Sequence, residues 1–184
     1  YLLAVLQDSA GSDAKGGPAL ILACEEPELY QHPPQSRHLH NVLLELAGQN
    51  AQVMICTHSP YFVSGEEFES IRLVRKVRGR SRVFSATSVK VAERLTKAGA
   101  NGARKPFGAL AKIHQALQPG LSEMFFAPKV VFVEGLEDVA YITTYLELLG
   151  LGDDYRRLGC HIIPVDGKSE MMQPIAIARC LEIP

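Results

Sequence analysis

The sequence predicts an α/β fold that is built in two consecutive segments. Three observations carry this prediction. Short apolar runs that suit strands alternate with helical patterns, this alternation occurs twice, and a basic β-prone stretch followed by a helical one separates the two occurrences. Strands that alternate with helices are typical of sheets covered by helices. The 184 residues suffice for one ordinary domain or for two small or incomplete ones.

The first α/β segment has the pattern strand, helix, strand. Ala19–Cys24 is a short apolar run without alternation, which predicts a strand that is covered on both faces. A proline-rich turn at residues 32–34 leads into Ser36–Ala47, where apolar residues recur at helical spacing. Gln52–Thr57 is a second buried run of the same kind. In this order the two strands are expected to lie parallel in one sheet.

A β-hairpin is predicted next. Ser70–Val77 and Arg82–Thr87 are β-prone runs that are joined by a turn over residues 78–81. The hairpin is locally basic, and Arg104 and Lys105 add further charge between the two α/β segments. Contact with DNA and plain solvated surface both explain this charge, and we favour the second.

The second α/β segment follows a helical stretch with glycine-containing breaks, Val89–Ser122, which we interpret as a connector between domains. Its pattern is strand, helix, strand, helix, over Lys129–Val133, Leu136–Leu149, His161–Val165 and Met171–Leu181. Pro174 must lie in the first turn of the last helix or kink it.

Composition and charge favour a globular protein of the cytoplasm. The chain is 47% apolar and has a formal net charge of −1, so contact with nucleic acid must come from local patches. No apolar run reaches the roughly 18 to 20 residues of a membrane span, and no signal-peptide layout is visible. Because the sequence lacks an initial Met and begins inside a helical pattern, residues 1–6, we interpret it as an internal part of a longer protein.

The cysteines and three of the histidines are predicted to be structural. Without CxxC spacing, the cysteines are expected to be reduced, buried thiols: Cys24, Cys56, Cys160 and Cys180. The histidines lack carboxylate or cysteine neighbours at metal-ligand spacing and are expected to be exposed: His32, His38 and His40.

Two adjacent carboxylates stand at the end of the first strand. Glu25 and Glu26 follow the apolar run at the edge where nucleotide-binding sheets keep their chemistry. In ATP hydrolysis one such carboxylate holds Mg²⁺ and a second orients and deprotonates the attacking water, and we assign these roles to Glu25 and Glu26 in that order. His58, just after the second strand, is a candidate sensor of the γ-phosphate. A solvated turn is the structural alternative for the glutamate pair.

The order of these features resembles that of ABC-type ATPases. Hydrophobic strand, Glu-Glu-Pro-Glu, a Leu-Tyr-Gln-His-Pro turn, helix, strand and Thr-His-Ser-Pro look like the Walker B, D-loop and H-loop series. The Glu-Glu-Pro-Glu form is typical of the OLD (overcoming lysogenization defect) family and its relatives. The resemblance implies that Glu25 is the Walker B acid, Glu26 the catalytic glutamate and His58 the switch histidine.

The phosphate loop of such an ATPase is not in the sequence. Neither GxxxxGKS/T nor a Ser-Gly-Gly signature before the Walker B strand occurs, and the resemblance puts both upstream of Tyr1. We therefore expect this chain alone to bind ATP poorly or not at all. Tight nucleotide binding by the chain in calorimetry would contradict this expectation.

A second group of acids follows the strand Lys129–Val133. Glu134 ends the strand, Gly135 permits a sharp turn and Asp138 lies one turn into the helix, so the carboxylates converge as Mg²⁺-dependent phosphodiester chemistry requires. Val-Glu-Gly-x-x-Asp resembles the first Toprim motif of topoisomerases, primases and OLD nucleases. On that resemblance Glu134 and Asp138 hold metal, and Glu137 is a neighbour whose charge suits the helix dipole. A strand end without function is the structural alternative.

The next strand leads into a loop with two further candidates. By the same resemblance, Asp166 contacts metal and Lys168 steadies the scissile phosphate, although an Asp-Gly turn is also a common structural connection. The Asp-x-Asp pair that a Toprim site also needs is absent from the sequence, and we expect it beyond Pro184. A Toprim domain without catalytic activity is the alternative interpretation.

By this order of motifs the chain is identified as a member of the OLD family. The implied fold is α/β, with the C-terminal half of an ABC-type P-loop ATPase sheet followed by the N-terminal half of a Toprim, Rossmann-like domain. The expected limits are 1–87 for the ATPase part, 88–128 for the connector and 129–184 for the Toprim part. The resemblance implies an ATP-regulated DNA endonuclease or nickase of prokaryotic defence or DNA repair. It implies Mg²⁺ or Mn²⁺ and ATP as cofactors, and a homodimer or larger assembly.

Two other functions compete with this one. An ATP-driven switch that binds DNA or a partner, with an inert Toprim half, predicts that the whole protein lacks the Asp-x-Asp pair. A plain ABC-type transport or recombination ATPase predicts an ordinary helical tail in place of Glu-Gly-x-x-Asp, so the sequence disfavours it. The sequence does not distinguish DNA from RNA, or activation by ATP from restraint.

Overall fold

The computed structural model describes residues 20–48, 51–99, 111 and 113–184, which form a mixed α/β chain. The chain divides into two compact units, residues 1–62 and 63–184. The predicted opening helix, Arg104 and Lys105 lie outside the described residues. The predicted domain limits, 1–87, 88–128 and 129–184, stay predictions.

The first unit contains the predicted strand, helix and strand. β1 (Leu20–Glu25) and β2 (Ala51–Cys56) pair in parallel, from Leu20 opposite Ala51 to Glu25 opposite Cys56. α1 (Pro33–Ala47) joins them and buries Val42, Leu43 and Leu46. A 3-10 turn, Pro60–Phe62, follows β2. The parallel pairing expected from the sequence is confirmed.

The prediction that both faces of this sheet are covered is wrong for the described residues. Exposed and half-buried positions alternate along both strands, and Ile21 and Met54 are 73% and 63% exposed. The physical reason is that α1 covers one face only, so every second side chain points away from it. Long apolar runs in the sequence therefore do not by themselves report burial.

The cysteine and histidine predictions need the same correction. All four cysteines are free thiols, but Cys56 is exposed and the other three are half-buried. Partial burial raises the pKa of the Cys24 thiol. His32 and His38 are exposed as expected. His40 is buried, because its ring packs 5.1 Å from the ring of Phe62, centroid to centroid.

The second unit begins with the predicted hairpin. β3 (Leu73–Val77) and β4 (Arg80–Phe84) are antiparallel, with Leu73 opposite Phe84. Arg78 and Gly79 form the turn with φ of 50° and 78°, and positive φ at both positions is the type I′ arrangement that suits a two-residue hairpin. The observed strands are shorter than predicted. α2 (Ser88–Lys97) follows, and its N-cap Thr87 accepts a hydrogen bond from the Lys90 amide.

The second α/β segment also has the predicted order. β5 (Lys129–Val133) and β6 (Cys160–Pro164) pair in parallel. They are accompanied by a one-turn helix and three further helices, α3 (Pro119–Ser122), α4 (Leu136–Leu148), α5 (Gly152–Arg157) and α6 (Met172–Cys180). Pro174 lies in the first turn of α6, where a missing amide hydrogen is tolerated. No helix of the described residues is long and apolar enough to cross a membrane.

One hydrophobic core explains why the hairpin belongs to the second unit. α2 packs on α6, and Val91, Leu95 and Ile177 are almost completely buried between them. Phe84 at the end of the hairpin joins the same cluster. The hairpin, the described part of the connector and the second α/β segment therefore share one core.

Candidate functional site

The first candidate site lies where β1 and β2 end. Their parallel register puts Glu25 opposite Cys56, and the Glu26 amide donates a hydrogen bond of 2.7 Å to the Cys56 carbonyl. Glu26 has a φ of 43°, a left-handed conformation that is uncommon for residues other than glycine. The chain therefore turns sharply between the two predicted catalytic carboxylates, and Glu25 is exposed.

Glu26 and His58 are brought together by these strand ends. Oε1 of Glu26 lies 3.7 Å from Nε2 of His58, and the side chains are 37% and 84% exposed. This separation is too long for a hydrogen bond, but it lies within ion-pair range. Two of the three residues predicted for ATP hydrolysis therefore face each other across the sheet end.

Glu28 holds this arrangement and was not predicted as a site residue. Its Oε1 accepts a hydrogen bond of 2.5 Å from the Thr57 hydroxyl and one of 3.2 Å from the His58 amide. Its Oε2 is buried without a hydrogen-bond partner in the structure. The Thr57 hydroxyl also accepts from the Ser59 amide at 2.9 Å. Glu28 thus ties the loop after β1 to the loop after β2.

The second candidate site lies where β5 and β6 end. The Val165 amide donates to the Val133 carbonyl at 3.0 Å, and the Gly167 amide donates to the Glu134 carbonyl at 2.9 Å. Asp166 has a φ of 57° and Gly167 one of 126°. Main-chain hydrogen bonds therefore join the two loops that carry the predicted metal ligands.

Asp138 shapes the turn between β5 and α4. Its Oδ2 accepts hydrogen bonds from the amides of Glu134, at 3.0 Å, and Gly135, at 3.1 Å. A carboxylate in this position satisfies amides that would otherwise lack partners at a helix start. Asp138 therefore has a structural task in the described chain, and its Oδ1 is the oxygen left over for a ligand.

The carboxylates of the second site are the type of ligand that a hard divalent cation prefers. Glu134, Asp138 and Asp166 are exposed and offer the oxygen ligands that Mg²⁺ and Mn²⁺ prefer. Among the described residues, however, no group of three His, Cys, Asp or Glu side chains stands close enough to hold a metal ion. Lys168 is exposed at the start of a 3-10 turn. The metal and phosphate roles of these residues, like that of Glu25, stay predictions.

A groove of about 430 Å³ lies beside β6 and was not predicted from the sequence. Asp166 lies in its wall, and so do Glu123 and His161, whose Oε2 and Nε2 atoms are 2.6 Å apart. These two residues are 38 positions apart in the chain, so no local pattern could have predicted their contact.

Comparison with known proteins finds a similar domain for each of the two segments. Residues 2–63 match the model of an AAA ATPase domain, and residues 125–184 match that of the TOPRIM domain of proteins similar to the overcoming lysogenization defect protein. The chain is 28% identical, over 161 residues, to a protein of Thermus scotoductus named OLD nuclease. The matched region is 87% of this chain and 28% of that relative.

The family resemblance and the α/β fold class predicted from the sequence are confirmed by these matches. The AAA ATPase match ends one residue after the first compact unit. The TOPRIM match lies entirely within the second unit and includes both loops of the second site.

Proposed function

We propose that this chain, an AAA ATPase segment joined to an OLD-like TOPRIM segment, works in an ATP-regulated, divalent-metal-dependent nuclease that cuts or nicks DNA. The observation that carries the proposal is the second site. An exposed glutamate ends a parallel strand, an aspartate caps the following helix, and the neighbouring loop with Asp166 and Lys168 is hydrogen-bonded to the first loop. The similarity to a protein named OLD nuclease supports the nuclease part of this proposal.

In the TOPRIM segment the chain's own residues would bind and orient the reactants. Glu134, Asp138 through its Oδ1, and Asp166 would hold Mg²⁺ or Mn²⁺. When bound, this metal would supply charge neutralisation and an activated water for phosphodiester hydrolysis. Lys168 would bind the scissile phosphate as a point charge. The hydrogen bond from Gly167 to Glu134 would keep the two loops at a fixed distance.

In the ATPase segment the chain would supply three residues of a composite site. Glu25 would hold the Mg²⁺ of ATP, Glu26 would orient and deprotonate the attacking water, and His58 would contact the γ-phosphate. The 3.7 Å between Glu26 and His58 leaves both side chains facing one place. The resemblance to ABC-type ATPases favours nucleotide bound between two copies, so we propose a homodimer or larger assembly in the cytoplasm, acting in defence or DNA repair.

Nicking of supercoiled plasmid in Mg²⁺ or Mn²⁺ tests this function, with every variant made in the longer protein that we expect to contain this chain. Glu134→Gln keeps the shape of the side chain and removes its charge, and we expect it to lower the nicking rate by at least about 100-fold because a metal ligand is lost. Glu137→Gln is the matched control, since Glu137 is an exposed carboxylate three residues away on α4, and it should nick as the unchanged protein does. Equal nicking by all three proteins would refute the assignment.

A second candidate is an ATP-driven switch that binds DNA or a partner and has an inert TOPRIM half. It is favoured by the structural task of Asp138, whose Oδ2 already accepts hydrogen bonds from the amides of Glu134 and Gly135. This candidate predicts ATP-dependent binding of DNA without nicking in any divalent metal. Nicking that depends on Glu134 excludes it.

A further inference from the structure

We propose that the hairpin β3–β4 is a docking surface for the sugar-phosphate backbone of duplex DNA. This inference rests on the proposed function, because it names where the DNA substrate of the nuclease is held. The hairpin belongs to the same compact unit as the Glu134 loop. DNA that binds the hairpin would therefore be held on the unit that carries the proposed nuclease residues.

The hairpin concentrates positive charge without compensation in the sequence. The segment from Arg72 to Phe84 contains five arginines, one lysine and no Asp or Glu. The whole chain has a formal net charge of −1. The positive charge of this segment is therefore a local excess and does not reflect a basic protein as a whole. A local basic patch of this kind is the electrostatic footprint of nucleic-acid binding.

Arginines elsewhere in the same unit are neutralised by acids. Arg156 forms ion pairs of 2.8 Å with Glu147 and Asp153, and Arg157 forms one of 2.8 Å with Asp154. By contrast, no cation of the hairpin forms an ion pair within the described part of the chain. Arg72 and Arg75 donate to main-chain carbonyls, and Arg82 lies over the Phe84 ring. Among the residues that the structure describes, the cations left for phosphates are therefore Lys76, Arg78 and Arg80, whereas the arginines of α5 are already engaged.

The end of the hairpin projects into solvent. All four residues from Arg80 to Val83 are exposed, whereas a strand that lies flat on a core alternates between buried and exposed positions. Lys76 and the turn residue Arg78 are exposed as well. The side chains at this end of the hairpin are therefore accessible to a partner.

The base of the hairpin is fixed to the unit. Phe84 is buried in the hydrophobic core. The Arg75 guanidinium donates to the carbonyls of Pro128, at 3.1 Å, and Glu182, at 3.3 Å. Pro128 directly precedes β5, the strand that leads to Glu134. A surface ordered before binding loses little conformational entropy when DNA docks.

The spacing of the charges favours a regular phosphate backbone over an acidic protein surface. Arg80 and Arg82 are two residues apart on β4, which is about 6.8 Å along an antiparallel strand. One strand of duplex DNA carries a negative charge at every nucleotide, so two arginines on one face of a strand can contact phosphates of one backbone. Val74 and Val83, which are cross-strand neighbours and 62% and 63% exposed, lie on the opposite face of the hairpin from Arg80 and Arg82.

The test measures binding of the protein to a short fluorescent duplex by anisotropy, over a series of salt concentrations. EDTA is present, so that no cleavage occurs. Arg78→Gln with Arg80→Gln removes two unpaired charges of the hairpin. Arg156→Gln with Arg157→Gln is the matched control, because it removes two paired charges from the same unit. We expect the hairpin variant to bind about tenfold more weakly, and its salt slope to fall by up to about 1.8, since each lost phosphate contact removes about 0.9. The control should bind within about twofold of the unchanged protein.

Equal melting temperatures will show that both double variants fold. If Arg78→Gln with Arg80→Gln lowers the melting temperature, the double variant Lys76→Gln with Arg80→Gln is used in its place. Binding by the hairpin variant at the strength of the unchanged protein overturns the proposal, and so does an equal loss in hairpin variant and control. Because the assay needs no catalytic metal, it is independent of nuclease activity. A protein that never nicks plasmid, but whose DNA binding depends on the hairpin, would refute the proposed nuclease and leave the docking surface in place.

Discussion

The two strand-end sites have the same plan and are held together by different parts of the chain. In each, a carboxylate ends the first strand of a parallel pair and the second strand contributes a neighbouring loop. At the first site the loops are tied by a side chain, since the Glu28 carboxylate accepts from Thr57 and His58. At the second site they are tied by the main chain, through the amide of Gly167 and the carbonyl of Glu134.

This difference determines which residues are left for chemistry. At the second site the tie uses no side chain, so Glu134, Asp166 and Lys168 are exposed. At the first site the Glu28 carboxylate is used to join the loops. Within the described residues the Glu26 carboxylate makes no such bond, and it lies 3.7 Å from His58. We infer that the first site is sensitive to loss of a side chain and that the second is sensitive to a change of backbone conformation.

The largest effect is expected from Glu28→Ala at the first site. The substitution removes the acceptor of two hydrogen bonds to a charged group, each of which contributes roughly 1.5 to 3 kcal/mol. The free energy of unfolding should fall by about 3 kcal/mol in urea titrations, and ATP hydrolysis should be lost because the His58 loop is released.

Glu28→Gln is the matched control for this prediction. A glutamine keeps an oxygen acceptor at Oε1 and puts an amide where Oε2 is buried without a partner. The variant should lose about 1 to 2 kcal/mol, which is less than Glu28→Ala, because its hydrogen bonds are made to a neutral oxygen and its amide is buried. An equal loss of stability in both variants would show that charge, and not the hydrogen-bonded tie, stabilises the loops.

A smaller effect is expected from Gly167→Ala at the second site. Gly167 has a φ of 126° and ψ of 151°, a region that is almost restricted to glycine. A Cβ would meet nothing closer than the Ser169 hydroxyl at 4.0 Å, so the cost of about 1 to 3 kcal/mol is backbone strain alone. Urea unfolding measures it, and nicking should fall as the two loops shift. A variant as stable as the unchanged protein would contradict the main-chain tie.

The smallest effect lies outside both sites, at Glu69. Its Oε1 accepts hydrogen bonds from the Ser88 hydroxyl, at 2.6 Å, and the Ser88 amide, at 2.9 Å. These bonds lower the pKa of the Glu69 carboxyl. Because the pKa is lower in the folded state, the stabilisation is complete above the ordinary glutamate value of about 4.3 and is lost as the pH falls through the folded value.

Glu69→Gln should therefore unfold slightly more easily than the unchanged protein at pH 7, and the difference should narrow below about pH 4. Denaturant titrations at both pH values measure this, with Glu66→Gln, which is also exposed, as the control. A difference that stays constant with pH would contradict the role of the carboxylate charge.

The sequence predicted the elements well where the local pattern alone decides them. Lys129–Val133 has the predicted bounds, because four consecutive β-branched or aromatic residues, Val130–Val133, strongly favour a strand. α5 was missed, because Gly-Asp-Asp-Tyr-Arg-Arg has no apolar periodicity, and ion pairs of Arg156 and Arg157 accompany it instead. The open face of β1 and β2 was also missed, because apolar runs do not reveal which helix covers them.

Of the candidate sites, the sequence could predict only the residues that lie directly after the ends of parallel strands. Glu26 and His58 were placed together because parallel strands end at one edge. Glu28 was visible in the Glu-Glu-Pro-Glu motif, but its task depends on a contact with residues 29 and 30 positions away. The contact of Glu123 with His161 depends in the same way on packing between distant parts of the chain.

We propose that the two strand-end sites are separate catalytic centres. Plasmid nicking and ATP hydrolysis should be measured in parallel on Glu26→Gln and Glu134→Gln variants of the longer protein that we expect to contain this chain. We expect Glu134→Gln to hydrolyse ATP at the rate of the unchanged protein and not to nick, whereas Glu26→Gln should not hydrolyse ATP. A Glu134→Gln protein that nicks at the unchanged rate, or that loses both activities while remaining folded, would contradict it.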